Sequence, residues 1–86
     1  MSVKILNITV ACQGQEDVVF KIKDDTDLSK LMERYCQQIL NKKISEVTFT
    51  YDGIEIKSED TPKKLKMKSN DTVHVTMTQV GGGIII

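Results

Sequence analysis

Val18-Val19-Phe20-Lys21-Ile22-Lys23 runs through Asp24-Asp25-Thr26-Asp27 into Leu28-Ser29-Lys30-Leu31-Met32-Glu33-Arg34-Tyr35-Cys36, and within this stretch the hydrophobic period changes. Val18, Phe20 and Ile22 alternate with Val19, Lys21 and Lys23, a period of two that marks a strand with one buried face. Leu28, Leu31, Met32, Tyr35, Cys36, Ile39 and Leu40 then recur at helical spacing, so one amphipathic helix is expected from about Asp27 to Leu40. The aspartates and threonine between the two supply several candidate N-caps. Asn41-Lys42-Lys43 ends the helix, with lysines at the negative end of its dipole.

The flanking sequence arranges itself around this pair. Upstream, Val3 to Val10 alternates Leu6, Ile8 and Val10 with Asn7 and Thr9, and Gln13-Gly14-Gln15 separates it from Val18. The two runs read as an antiparallel hairpin. Downstream, Val47, Phe49 and Tyr51 form a strand that turns at Asp52-Gly53 into a short return over Ile54 to Ile56. Ser58 to Pro62 is a turn or cap before a short helical segment around Lys63 to Leu65, with proline where its missing N–H is harmless. Thr72 to Thr78 is the last strand, with Val73, Val75 and Met77 facing inward. The order predicts an α+β fold, a mixed sheet packed on one main helix in a β-grasp arrangement. One domain, residues 1–78, is followed by a flexible tail, residues 79–86.

Composition narrows the function. A chain of 86 residues buries only about 60–65% of the surface its unfolded form exposes, which leaves no room for a deep cleft beside a core. Twelve basic residues balance twelve acidic ones, so no net field draws in nucleic acid or an anionic membrane. No apolar run approaches the roughly 20 residues of a membrane span, and the N-terminus lacks a signal-peptide core. Cys12, Cys36 and His74 are too few for a disulfide framework or a zinc site, and a reducing nucleus or cytoplasm is the expected location.

Catalysis finds no foothold. His74, between inward-facing Val73 and Val75, points to solvent without a nucleophile partner. Cys36 reads as a small core hydrophobe, whereas Cys12 at a strand end could be exposed. Asp24, Asp25 and Asp27 lack the spacing of a calcium loop. No enzyme activity, metal or cofactor is expected.

Two features invite a binding role. The chain ends in Gln79-Val80-Gly81-Gly82-Gly83-Ile84-Ile85-Ile86. Glycines carry a large entropy cost and have no side chain to bury, so this segment reads as a flexible tail whose isoleucines are a removable cap over a glycine carboxylate, or as a frayed end. The second strand presents Val18, Phe20 and Ile22 near Leu31 and Tyr35, rimmed by Lys21, Lys23 and Lys30. These residues read either as a groove for an extended peptide that adds a strand or as core whose lysines guard an edge.

Val19-Phe20-Lys21-Ile22-Lys23, Thr26-Asp27-Leu28-Ser29-Lys30-Leu31, Tyr35-Cys36-Gln37, Phe49-Thr50-Tyr51-Asp52-Gly53, Asp60-Thr61-Pro62-Lys63-Lys64-Leu65 and Gln79-Val80-Gly81-Gly82 resemble, in order and nearly throughout, the SUMO (small ubiquitin-like modifier) family. The resemblance implies a ubiquitin-like fold and a modifier processed by a SUMO-specific cysteine protease to end at Gly82, with Gln79, Val80, Gly81, Gly82 and Gly83 as the recognised tail. It implies ATP-dependent capture by an activating enzyme, transfer by a conjugating enzyme and ligases, and an isopeptide bond to target lysines. It also implies a groove for SUMO-interacting motifs at Val18, Val19, Phe20, Lys21, Ile22, Lys23, Lys30, Leu31 and Tyr35. Ile56-Lys57-Ser58-Glu59 fits the hydrophobic-Lys-any-acid acceptor pattern, which makes Lys57 a candidate site of self-modification.

The sequence also departs from the family. Only Met1 and Ser2 precede the first strand, so growth of chains through an N-terminal tail is not expected. Met67-Lys68-Ser69-Asn70-Asp71 replaces a commonly acidic turn and weakens complementarity with a basic conjugating enzyme. Gln38 stands at a groove-rim position where arginine is common, and Val80 where threonine is frequent. Gly83 makes the cut ambiguous by one residue; alignment places it after Gly82. A docking module that is never attached would lack the diglycine, a sulfur carrier would end at it, and ubiquitin would carry basic residues before it.

Overall fold

The computed structural model describes residues 3–77. Its elements are β1 (Ile5–Cys12), β2 (Val18–Lys23), α1 (Leu28–Tyr35), which continues as a π-helical turn over Cys36–Leu40, a 3-10 turn (Ile44–Glu46), β3 (Val47–Tyr51), β4 (Ile54–Glu55) and β5 (Thr72–Met77). The strands form one mixed sheet in the order β2-β1-β5-β3-β4. β1 pairs antiparallel with β2 and parallel with β5, which puts the first and last strands side by side at the centre.

Alternation decides what each strand contributes. Leu6, Ile8 and Val10 of β1, Val47 and Phe49 of β3, and Val73 and Val75 of β5 are buried, and they meet Leu28, Leu31, Met32, Tyr35 and Cys36 of the helix. Tyr35 lies at the centre, edge-on to Phe20 at 6.3 Å and to Phe49 at 6.1 Å between ring centroids. Such pairs add to the burial of the rings themselves. One helix face and one sheet face thus supply most of the core, as the periodicity predicts, and Ile56 and Met67 add to it from the connecting segments.

Several local expectations are corrected. Asp27 occupies the N-cap position but its side chain makes no capping bond. The helix start is held instead from outside, by the Leu28 amide donating to the Asp60 carbonyl at 2.7 Å. β1 starts at Ile5 rather than Val3 and extends to Cys12, because Cys12 pairs in register with Val75. That pairing buries Cys12, which local sequence left open to solvent. Residues 62–66 form consecutive turns rather than a helix. Asn41 ends the helix with φ 54° and ψ 41°, the left-handed conformation a helix terminus uses. Asp52 and Gly53, at φ 55° and 82°, make the tight β3–β4 turn.

Candidate binding groove

Because β2 is an edge strand and is followed directly by the helix, its outer margin and the helix side frame an open groove of about 440 Å³. Phe20, Lys21, Ile22, Lys23, Thr26, Lys30, Leu31 and Arg34 line it. The floor is apolar: Ile22 and Leu31 are buried and Phe20 half-buried. The rim carries four cations, Lys21, Lys23, Lys30 and Arg34, and no carboxylate. An extended segment laid here would find backbone edge on one side, apolar contacts below and positive charge around it.

Six of the nine groove residues expected from sequence line this site: Phe20, Lys21, Ile22, Lys23, Lys30 and Leu31. The other three do not. Val18 packs against the core, Val19 is 59% exposed on the strand face that also carries Lys21 and Lys23, and Tyr35 is buried between two rings. Sequence reading missed Thr26 and Arg34. Arg34 follows Lys30 by four residues, the spacing that brings two side chains to one helix face, and that signal was available. Gln38 is exposed and is not among the lining residues.

The remaining candidates fall into place separately. His74 is exposed on the outer sheet face, paired in register with Ala11 and Thr50. Cys36 is buried, and burial, with Glu46 adding to it, pushes its thiol up and away from reactive thiolate. Burial likewise raises the Tyr35 hydroxyl, with the Cys12 thiol beside it contributing.

The Lys57 motif is folded rather than extended. Ile56 is only 6% exposed in the core, the Lys57 amide donates to Asp60 Oδ2 at 2.9 Å, and the Asp60 amide donates back to the Lys57 carbonyl at 3.0 Å. The hydrophobic residue of the acceptor pattern is therefore not on the surface. Gln79, Val80, Gly81, Gly82 and Gly83 lie outside the described residues.

Comparison with known proteins agrees with this architecture. The family described as Ubiquitin-2 like Rad60 SUMO-like matches residues 6–77. Small ubiquitin-related modifier 3 of Danio rerio is 43% identical over 77 residues, covering 90% of this chain and 81% of that protein. Small ubiquitin-related modifier 2 of Homo sapiens is 42% identical over 77 residues, covering 90% and 80%. In backbone geometry, Caldiarchaeum subterraneum ubiquitin superimposes with a TM-score of 0.80 at 16% identity, over 92% of this chain and all of that one. A β-grasp sheet on one helix, with sequence identity at this level over most of the length, is conclusive: the chain belongs to the SUMO family of ubiquitin-like modifiers.

Proposed function

We propose that the chain is a conjugated tag: a SUMO-specific protease cuts after Gly82, an activating enzyme adenylates the new carboxylate with ATP and captures it as a thioester, and a conjugating enzyme with ligases delivers it to lysines of target proteins. The observation that carries this reading is family membership joined to the Gln79-Val80-Gly81-Gly82 sequence beyond the folded domain. An adenylate and then a thioester keep the acyl group reactive until the amine arrives, and paired glycines fit narrow active sites that a Cβ would obstruct. The protein is a substrate in these reactions and contributes no catalytic group. It acts in the nucleus and cytoplasm.

The same reading gives the β2–helix groove to the hydrophobic SUMO-interacting motifs of partner proteins. Apolar floor and cationic rim suit a hydrophobic core flanked by acidic residues. Intact mass after protease treatment tests the first step: a loss matching Gly83 to Ile86, followed by an ATP-dependent thioester on the activating enzyme, supports the modifier. A chain truncated at Gly82 that never forms the thioester leaves only noncovalent docking.

A further inference from the structure

We propose that Arg34 selects among the ligands of the groove by pairing with a carboxylate that flanks the hydrophobic core of an extended peptide at the Phe20 end. This rests on the groove reading above and adds a determinant that Gln38 does not supply. Arg34 is the sole arginine of the chain, and it stands on the groove wall. Its side chain is exposed, so its guanidinium is open to a ligand.

The position of Arg34 along the groove follows from the chain path. β2 runs from Val18 to Lys23, turns over residues 24–27, and the helix runs back. The Phe20–Tyr35 ring contact at 6.3 Å fixes the end of α1 beside the middle of the strand. Lys30 therefore sits toward Lys23 and Thr26. Arg34, about 6 Å further along the axis, sits toward Phe20. The groove thus has a cation at each end, with the apolar floor of Ile22 and Leu31 between. From Cys36 the helix widens into a π turn, so Gln38 does not continue the row of Lys30 and Arg34 in regular register.

The two ends differ in chemistry. Lysine offers a compact ammonium, whereas arginine offers a planar fork that matches a carboxylate with two parallel hydrogen bonds. Acidic residues on one side of a bound core are thus read by Arg34, and those on the other side by Lys23 and Lys30. Flank preference then reports the direction in which the peptide lies.

Fluorescence-polarisation titration of peptides with a short Val/Ile core, carrying glutamates on the N-terminal side, the C-terminal side or neither, tests this against wild type, R34A, R34E and R34K. Each flanked peptide is expected to bind wild type about two- to fivefold tighter than the unflanked core, the range of an exposed ion pair. For one of the two, R34A should erase that gain, R34E invert it and R34K keep part of it, while the other flank keeps its gain through Lys23 and Lys30 and melting temperatures stay close. If the gains of both flanked peptides persist in R34E, the role of Arg34 is overturned and the groove reading is left standing. Failure of every peptide to bind wild type overturns both.

Discussion

The Tyr51 hydroxyl donates a hydrogen bond of 2.6 Å to Asp71 Oδ2, and the same oxygen accepts the Lys68 amide at 2.7 Å. The pair fastens the end of β3 to the loop that leads into β5, while the Asp71 carbonyl accepts the Thr9 amide of β1 at 2.9 Å. One aspartate thus ties three strands at one end of the sheet. Tyr51→Phe is expected to lower stability by about 1 kcal/mol, the usual net worth of a hydrogen bond, and the melting temperature by roughly 4–8 °C. Asp71→Ala should cost more, because it strands both the hydroxyl and the Lys68 N–H. Thermal melts of the two variants check the order.

That pair also fixes the direction of a pH dependence. The hydrogen bond to Asp71 is the main cause that pushes Tyr51 up to about 12 from 10.0, and the tyrosine hydroxyl and Lys68 amide hold Asp71 below its ordinary 3.8. A raised folded-state pKa gives stability that is complete below the unfolded value and lost as pH rises. For Tyr51 the loss falls between about pH 10 and 12. A depressed carboxylate does the reverse, so the Asp71 contribution fades on acidification below about 3.8. Denaturant titrations should therefore show wild type ahead of Tyr51→Phe at neutral pH and the gap closing above pH 10. A constant gap up to pH 12 would mean that the bond does not govern the titration.

Both ends of this tie lie in segments that sequence reads differently. Tyr51 belongs to a strand whose period of two was plain, as were the helix and the buried faces of β1 and β5. What stayed hidden was set by partners remote in sequence. Cys12 is buried because β1 runs beside β5, and the helix start is satisfied by Asp60 rather than by any aspartate in its own cap. The groove was legible to the extent that it depends on alternation in β2 and helical spacing. Val18, Val19 and Tyr35 lie outside the lining residues, because pattern marks the apolar face and not where that face stops being covered.

Tyr35 poses a different problem, since among the described residues its buried hydroxyl has no oxygen or nitrogen partner and only the Cys12 thiol, a weak acceptor, beside it. Such a group forfeits its hydration for a weak contact, at a cost of up to about 1–3 kcal/mol. The ring, by contrast, contributes fully through its contacts with Phe20 and Phe49. Tyr35→Phe keeps the ring and removes the orphan oxygen, so it is expected to leave stability unchanged or raise it by up to about 1 kcal/mol. Chemical denaturation checks this. A loss of more than about 1 kcal/mol would reveal that the hydroxyl does have a favourable partner.

The burial of Ile56 bears on where the chain could modify itself. A conjugating enzyme that reads a hydrophobic residue, a lysine and an acid needs them as an extended exposed segment, but here Ile56 is 6% exposed and its amide donates to the Phe49 carbonyl at 2.8 Å. The Lys57–Asp60 bonds close the turn that follows. Withdrawing the isoleucine to present the motif forfeits about 1.5–3 kcal/mol of burial before any docking energy is gained. In a reconstituted conjugation reaction, Lys57→Arg is therefore expected to leave the yield of self-modified product unchanged, with peptide mapping placing the attachments at other lysines. Loss of most of that product would show instead that the enzyme captures a locally opened state. Ile56→Ala separates the cases further: it should destabilise the fold by about 2–5 kcal/mol, and because it also removes the hydrophobic residue of the pattern it would lower modification at Lys57 if the enzyme captures the opened state and change nothing otherwise.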